Sequence, residues 1–263
     1  MPEAPLLELA KVTLRFGGIQ ALSQVSFTLR EGEVAALIGP NGAGKTSVFN
    51  CICGFYTPQE GEIRLRGTRV SGLKPHRVAR LGVGRGFQNI ELFGTLSCLD
   101  NVLLGRHLHV RAGVLGALFA PRAWWRDETA QRRRAEELLE LLELQPYRNF
   151  PVLALPYGVQ KLIEVARALA SEPRLLLLDE PTAGMTAEEK DEMMFRLLRL
   201  RAELGITLLV IEHDLRVVSR LAERIIVLDY GVKIADGPPG AVQRDPEVIR
   251  AYLGDTRLAE VSA

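Results

Sequence analysis

The chain has 263 residues, 47% of them hydrophobic and 25% charged, which is typical of a folded globular protein and excludes a disordered one. Its 33 lysine and arginine residues nearly balance 32 acidic ones, so the net charge gives no indication of a nucleic-acid partner, although it leaves local basic patches open. The three cysteines, Cys51, Cys53 and Cys98, suit neither a disulfide framework nor a zinc site, and we expect them to pack in the core.

The first third of the chain is predicted to be rich in strands. Apolar alternation in LLELAKVTLRF and SQVSFTLR predicts two strands joined by a turn at Gly17 and Gly18. EVAALIGP predicts a short buried strand, and a helix follows from Lys45 to about Cys53. GEIRLRGTRV predicts one further strand, and PHRVARLG predicts a short helix closed by Gly82.

The middle of the chain changes to a helical pattern over about residues 97–144. In ALPYGVQKLIEVARAL, residues 154–169, apolar side chains fall at helical spacing from Leu162 to Leu169. The proline, tyrosine and glycine before them indicate a loop that turns into a helix N-terminus. The sequence leaves open whether that helix start binds a ligand. No apolar run is long enough to cross a bilayer, and the first residues lack the basic region of a signal peptide.

Strands and helices alternate in the last third of the chain. RLLLLDEP and ITLLVIEHD are continuous apolar runs, which predicts strands buried on both faces. Thr186 and Glu189 predict a capping box for a helix that ends at Gly205. LRVVSRLAE predicts a helix, and RIIVLDYGVKIADG predicts a hairpin before a charged C-terminal helix. Buried strands that precede helices predict an α/β fold with a parallel sheet and right-handed crossovers.

One short motif gives the strongest indication of the chemistry of this protein. GPNGAGKT matches G-x-x-x-x-G-K-[ST] and lies between a predicted strand and a predicted helix. Its glycines let backbone N–H groups turn towards a phosphate, and the helix start adds a partial positive charge. Lys45 supplies a cation for the β- and γ-phosphates, and Thr46 offers a hydroxyl to Mg²⁺. The ATP-binding residues predicted here are Gly39, Pro40, Asn41, Gly42, Ala43, Gly44, Lys45, Thr46 and Ser47.

Two further buried strands end in polar residues at the edge where ligands bind to α/β sheets. Asp179 can hold Mg²⁺ through oxygen, and Glu180 can polarise a water for attack on the γ-phosphate. His213 follows the strand VIEHD, where it can reach the γ-phosphate or that water. His107 and His109 have no carboxylate or cysteine near them in sequence, so we expect no metal site there.

The phosphate loop, the LLLLDEP strand and the IEHD strand, in that order, resemble an ATP-binding cassette (ABC) ATPase over essentially the whole chain. The resemblance implies a P-loop NTPase core with an N-terminal antiparallel β subdomain and an inserted α-helical subdomain. The core would occupy residues 1–88 and 172–263, and the helical subdomain residues 89–171. Phe16 then resembles the aromatic residue that stacks on adenine. Gln88 resembles the Q-loop glutamine, which contacts Mg²⁺ or the attacking water.

The stretch at residues 154–169 lies where this family has its signature, usually LSGGQ. In the family, two cassettes pair head to tail, and each signature closes over the partner's ATP. Pro156 replaces the usual serine and Val159 the usual glutamine, whereas Gly158 is retained. Proline is tolerated in a first helical turn, but a lost hydroxyl removes a hydrogen bond worth about 1.5–3 kcal/mol. We expect a functional but weakened signature, formed by Leu155, Pro156, Tyr157, Gly158, Val159 and Gln160.

GPNGAGKTSVFNCICGFYTPQEGEI, FQNIELF and DPEVIRAYLG resemble one branch of the family, the larger ATP-binding subunit of high-affinity branched-chain amino acid importers. The resemblance implies ATP and Mg²⁺ as cofactors and a cytoplasmic ATPase at the inner face of the membrane. It also implies pairing with a second ATPase subunit, which is a paralogue or a second copy. Two membrane permeases, fed by an extracytoplasmic binding protein, would complete the assembly.

Three alternatives remain at this point: an ATPase of a lipid or lipopolysaccharide exporter, a non-transport cassette ATPase, and a module that uses ATP mainly to dimerise. The insert AGVLGALFAPRAWWRDE is too short to span a bilayer and carries Trp124 and Trp125. These amphipathic rings suit either packing on the helical subdomain or contact with a permease.

Overall fold

The computed structural model describes residues 4–86, 91–109 and 121–252. In these ranges the strands are β1 (Leu7–Phe16), β2 (Ile19–Leu29), β3 (Val34–Ile38), β4 (Glu60–Leu65), β5 (Thr68–Arg69), β6 (Val83–Gly86), β7 (Leu175–Asp179), β8 (Thr207–Ile211), β9 (Arg224–Asp229) and β10 (Val232–Gly237). The α-helices are α1 (Lys45–Ile52), α2 (Pro75–Arg80), α3 (Cys98–Gly105), α4 (Pro121–Leu141), α5 (Tyr157–Leu169), α6 (Ala187–Leu204), α7 (Leu215–Leu221) and α8 (Pro239–Val242). Residues 246–252 are also helical.

The N-terminal part forms a four-stranded antiparallel sheet in the order β2-β1-β4-β5. The predicted hairpin of β1 and β2 is confirmed, and Gly17 at its turn has a φ of 56°, a left-handed conformation that suits glycine. The prediction of one strand in GEIRLRGTRV was wrong. Arg66 and Gly67 take φ values of 48° and 76°, so the chain reverses there and forms the hairpin of β4 and β5.

The second sheet has six strands in the order β10-β9-β3-β8-β7-β6. Five of them are parallel, and only β10 at the edge runs antiparallel to its neighbour. Every residue of β3, β7 and β8 is buried, as continuous apolar strands require when both faces are covered. The predicted α/β class with a buried parallel sheet is confirmed.

The two faces of the parallel sheet belong to different cores because successive side chains of a strand point to opposite faces. Leu175 and Leu177 of β7 face α1 and the antiparallel sheet. Leu176 and Leu178 face a second core built with α3, α4, α5 and α6. The sheet therefore holds the phosphate-loop helix on one side and the helix that begins at Tyr157 on the other.

The predicted helical middle is present as α3, a short 3-10 turn at Arg106–Leu108 and α4. Residues 142–144 do not continue α4, and residues 110–120 lie outside the described part. The capping box of α6 is confirmed, with Thr186 and Glu189 bonding reciprocally and Gly205 ending the helix. The limits of the helical subdomain at residues 89–171 stay a prediction. Within the described ranges, the helices are too short or too polar to cross a membrane.

Candidate active site

The phosphate loop runs from the end of β3 to the start of α1. Gly39 has a φ of 150°, and a Cβ atom there would lie 2.1 Å from the carbonyl oxygen of Leu228. Gly44 is the N-cap of α1 with a φ of 100°, and its Cβ would lie 2.7 Å from the carbonyl oxygen of Ala21. Both positions combine a left-handed backbone with close backbone contact, so only glycine fits them without strain.

The partial positive charge at the start of α1 is not neutralised by side chains of the helix itself. No acidic residue occupies its first turn, and no side chain caps its N-terminus. The Nζ of Lys45 donates to the carbonyl oxygens of Gly39 at 2.5 Å and Pro40 at 2.8 Å, which holds the ammonium over the loop. The backbone N–H groups, the helix dipole and a cation thus converge, as an anionic ligand requires.

Asp179 and Glu180 lie at the carboxyl end of β7, as predicted. Asp179 is only 4% exposed, and burial raises the pKa of its carboxyl above the ordinary value, with Glu180 adding to the rise while Arg85 and Lys45 oppose it. The Nη2 atom of Arg85 lies 3.4 Å from the Oδ2 atom of Asp179. Arg85 was not predicted as a site residue, because an arginine in the short strand VGRG carries no motif.

Glu180 and His213 meet across the ends of β7 and β8. The Nδ1 atom of His213 lies 3.9 Å from the Oε1 atom of Glu180. Glu180 has a left-handed φ of 50°, and its N–H donates to the carbonyl oxygen of Ile211 at 2.9 Å. A left-handed conformation at a residue other than glycine is strained, and such strain is frequent at functional sites.

A buried carboxylate that the sequence analysis missed, Glu212, links the segments next to these two residues. Glu212 is 1% exposed, and its Oε1 accepts hydrogen bonds from Thr182 N at 3.1 Å and Thr182 Oγ1 at 2.6 Å. Its Oε2 accepts from His213 N at 3.2 Å. Glu212 therefore joins the turn after Glu180 to the loop of His213. The signal available in sequence was a charged residue that directly follows the apolar strand run ITLLVI.

Phe16 lies at the end of the β1–β2 hairpin and is 46% exposed. Its ring packs edge to face on Tyr56, with centroids 5.0 Å apart and an interplanar angle of 75°. The same hairpin approaches the phosphate loop, since β2 residue Ala21 is the neighbour of Gly44. The exposed aromatic surface suits a planar base, and Tyr56 is a partner that the sequence did not indicate. Gln88 falls in residues 87–90, outside the described residues, and its role stays a prediction.

The signature stretch differs from its prediction in one respect. Pro156 is not in the first turn of α5 but is its N-cap, with φ −54° and ψ 150°, because the proline ring fixes φ near −65° and leaves the extended ψ free. Its carbonyl oxygen accepts from Gln160 N at 3.0 Å. The first turn of α5 has no acidic residue and no capping side chain, so the partial positive charge of this helix start is retained.

Two side chains of the signature, Leu155 and Val159, pack in or against the protein's own core. Gln160 donates from Nε2 to the carbonyl oxygen of Leu155 at 2.8 Å, and Val159 packs against the core that contains Leu162. A Cβ at Gly158 would lie 2.9 Å from the Oε1 of Glu189, so a larger residue there would have to displace the capping carboxylate of α6. The groups that this stretch presents to solvent are its backbone at the helix start and the exposed side chains of Pro156 and Tyr157, the latter 45% exposed.

A second buried charge pair lies within α5. Lys161 and Glu164 are 2% and 3% exposed, and their Nζ and Oε2 atoms are 4.0 Å apart. Burial lowers the pKa of Lys161, whereas the charges of Glu164, Asp179, Glu180 and Glu212 raise it. The helix that carries the signature thus places a cation near the carboxylates at the ends of β7 and β8.

The remaining polar candidates have structural contacts. His107 Nδ1 lies 3.0 Å from the carbonyl oxygen of Leu104, and His109 Nε2 lies 3.0 Å from that of Ser171. Among the described residues, no cluster of histidine, cysteine and acidic side chains could hold a metal on its own. The three cysteines are buried, and burial raises their pKa values to about 11 or about 12, which agrees with the packing role predicted for them.

Sequence comparison identifies relatives along nearly the whole chain. The family model described as ABC transporter matches residues 22–183. A second model, described as branched-chain amino acid ATP-binding cassette transporter, matches residues 232–257. The high-affinity branched-chain amino acid transport ATP-binding protein BraF of Pseudomonas aeruginosa is 41% identical over 251 residues, which cover 95% of this chain and 98% of BraF.

Solved structures agree in fold. The ADP conformation of MJ1267, an ATP-binding cassette of an ABC transporter, has a TM-score of 0.84 at 30% identity and covers 96% of this chain and 100% of its own. The dimeric post-hydrolysis state of the cassette MJ0796, bound to ADP and Pi, has a TM-score of 0.73 at 29% identity and covers 89% of this chain and 98% of its own.

Proposed function

The chain belongs to the family of ABC transporter ATPases and is an ATP-hydrolysing subunit, and from that membership we propose that it powers the import of branched-chain amino acids. The observation that carries the solute class is the 41% identity to BraF over 95% of this chain. The separate match of residues 232–257 to a branched-chain amino acid transporter model supports it. The ATPase would act at the cytoplasmic face of the membrane, where ATP is available.

ATP would bind with its phosphates on the loop from Gly39 to Ser47. Backbone N–H groups and the start of α1 would bind the phosphate oxygens, and Lys45 would exchange its contacts with Gly39 and Pro40 for the phosphates. Phe16 would stack on the adenine. This placement suits the structure, because the charged phosphates would contact backbone N–H groups and the adenine would contact the exposed ring of Phe16.

The donor set at the strand ends fits Mg²⁺. Asp179 offers carboxylate oxygens and Thr46 a hydroxyl, which are the hard oxygen ligands that Mg²⁺ prefers, and substrate phosphates and waters commonly complete its shell. Gln88 is a further predicted ligand. When bound, the ion neutralises charge on the phosphates. The buried Asp179 carboxyl, whose pKa burial raises, would gain most from a nearby cation.

Glu180 would accept a proton from the attacking water, and His213 would contact the γ-phosphate or that water. The 3.9 Å separation of His213 Nδ1 and Glu180 Oε1 supports a shared site for the two side chains. Glu212 would keep both loops in place through its three hydrogen bonds. A positioned base of this kind contributes roughly 10²–10⁴-fold to the rate.

The active form would be a dimer of two cassettes, as in the dimeric structure of MJ0796. The start of α5 would close over the partner's ATP with its backbone N–H groups, Tyr157 and Gly158. The partner would be a paralogue or a second copy. The pair would dock on two membrane permeases supplied by an extracytoplasmic binding protein, and Trp124 and Trp125 would lie on the permease-facing side.

Transport by a reconstituted assembly tests the solute. The chain would be co-expressed with its candidate second ATPase and permeases, placed in vesicles with binding protein and ATP, and assayed for uptake of labelled leucine, isoleucine and valine. We expect uptake that stops in the Glu180→Gln variant. Uptake of a chemically unrelated solute in the same assay, with none of these three, would contradict the proposal.

A second candidate is a cassette that uses ATP mainly to dimerise. Pro156, which supplies no hydroxyl at the start of α5, favours it. ATPase activity of the isolated chain over a range of protein concentrations separates the two. Activity that rises steeply with concentration and vanishes in Glu180→Gln indicates a working signature in a homodimer. ATP-dependent dimerisation without turnover indicates the second candidate.

A further inference from the structure

Arg85 connects the phosphate-loop helix to the carboxylate at the end of β7. It lies on β6, beside β7, and its side chain is 12% exposed. One end of the guanidinium, Nη1, donates to Asn50 Oδ1 on α1 at 2.6 Å. The other, Nη2, lies 3.4 Å from Asp179 Oδ2. The guanidinium carbon also lies 5.9 Å from the ring centroids of Phe49 and Phe55.

This arrangement fixes the orientation of the cation. A guanidinium is planar, so holding one end on Asn50 sets the direction in which the other end points. The two aromatic rings, each within range of a cation–π contact, restrict it further. Arg85 therefore presents Nη2 to Asp179 from a clamped position.

Asp179 needs such a partner because its carboxylate is almost entirely buried. Removing a carboxylate from water is costly unless an opposite charge compensates. Lys45 contributes charge in the neighbourhood, but its Nζ donates to the carbonyl oxygens of Gly39 and Pro40. Arg85 supplies compensating charge through its ion pair with Asp179.

We propose that Arg85 is a positioning residue of the ATPase site, which orients the Asp179 carboxylate towards Mg²⁺. The proposal rests on the metal role proposed above for Asp179. In this scheme Arg85 touches neither the nucleotide nor the reacting atoms and acts on the metal site through Asp179. Partners that orient a metal ligand in this way typically change metal affinity or activity by roughly 10–100-fold when they are removed.

The test measures metal binding apart from turnover. Mn²⁺ replaces Mg²⁺ as the probe, and its affinity for the chain in the presence of ADP is read from the electron paramagnetic resonance signal of free Mn²⁺. Binding of a fluorescent ADP analogue in EDTA measures nucleotide affinity without metal. The variants are Arg85→Met, Arg85→Lys, Asn50→Ala and Asp179→Asn. Arg224→Met is the matched control, since Arg224 forms a partly buried ion pair with Asp236 on the same sheet.

We expect Arg85→Met to weaken Mn²⁺ binding roughly 10–100-fold while leaving metal-free nucleotide binding unchanged. Arg85→Lys should weaken Mn²⁺ binding less. Lysine keeps the positive charge, but it has no planar guanidinium that can contact Asn50 and Asp179 at the same time. Asn50→Ala should give a smaller loss, and Arg224→Met none.

Two results with the Arg85→Met variant would overturn the proposal. One is unchanged Mn²⁺ affinity in Arg85→Met, and the other is an equal loss of metal-free nucleotide binding, which indicates a structural role only. If Arg85→Met does not fold, Arg85→Lys and Asn50→Ala decide by the same criteria. Unchanged Mn²⁺ binding in Asp179→Asn overturns the metal assignment itself. A loss in Asp179→Asn without a loss in the Arg85 variants overturns the role of Arg85 alone.

Discussion

The starts of α1 and α5, which we propose bind ATP phosphates, differ in how strictly the sequence must specify them. Neither helix has a capping side chain or an acidic residue in its first turn, whereas α6 is closed by its own Thr186 and Glu189. The start of α1 is shaped by glycines that cannot be replaced without steric conflict. The start of α5 tolerates Pro156 as an N-cap. The phosphate loop before α1 can surround a ligand only with backbone angles that favour glycine. The start of α5 is open, and its helix dipole is enough to attract an anion.

The largest effect is expected from removing Glu180, the proposed base next to the phosphate loop. Glu180→Gln keeps the size of the side chain but cannot accept the proton, so turnover should fall by roughly 10²–10⁴-fold. Nucleotide affinity, measured by fluorescence titration, should stay the same. The exposed Glu188→Gln on α6 serves as the control. A Glu180→Gln variant that retains most of its turnover would assign the base elsewhere.

The steric requirement for glycine in the loop before α1 can be tested by adding one methyl group. Gly39→Ala places a Cβ 2.1 Å from the Leu228 carbonyl oxygen in a left-handed conformation, so the free energy of unfolding should fall by about 3 kcal/mol or more. Thermal unfolding with and without ADP measures it. Gly18→Ala is the control, since that position has nothing within 4 Å. Equal stability of the two variants would disprove the steric argument.

The tolerance of the α5 start for Pro156 can be tested by introducing a hydroxyl at that position. Pro156→Ser should raise dimer-dependent turnover by about one to two decades, because a hydrogen bond to a charged phosphate is worth about 1.5–3 kcal/mol. The slope of ATPase rate against protein concentration measures it. Pro156→Ala removes the proline without adding the hydroxyl. If alanine increases turnover as much as serine, the effect comes from the proline and not from a lost hydrogen bond.

The smallest effect is expected from Trp124 and Trp125, which lie at neither of the two helix starts. Trp124 and Trp125 pack edge to face at 5.1 Å, and Trp125 is 62% exposed on the first turns of α4. Replacing both with alanine should leave ATP binding unchanged and weaken permease binding by about tenfold or more. Co-purification with the permeases and a quantitative binding assay measure it. Phe195→Ala, at an exposed apolar position on α6, is the control, and intact assembly in the tryptophan variant would contradict the prediction.

The sequence by itself determined the elements whose chemistry is local. The phosphate loop could be predicted because its glycines, Lys45 and the following helix are contiguous, and the buried strands because continuous apolar runs have few alternatives. The capping box at Thr186 was equally visible. The division of GEIRLRGTRV into two strands was missed, because a left-handed Arg66 is set by the antiparallel sheet and not by local preference.

Only the tertiary structure decided which distant residues support the site. Arg85 reaches Asp179 across 94 residues of chain, and Glu212 reaches Thr182 across 30. Such pairs follow no spacing rule, because they arise where parallel strands bring their carboxyl ends to one edge of the sheet. Pro156 shows the same limit. Its identity was evident in the sequence, but its position as the N-cap of α5, outside the first turn, depended on where the core fixed the start of that helix.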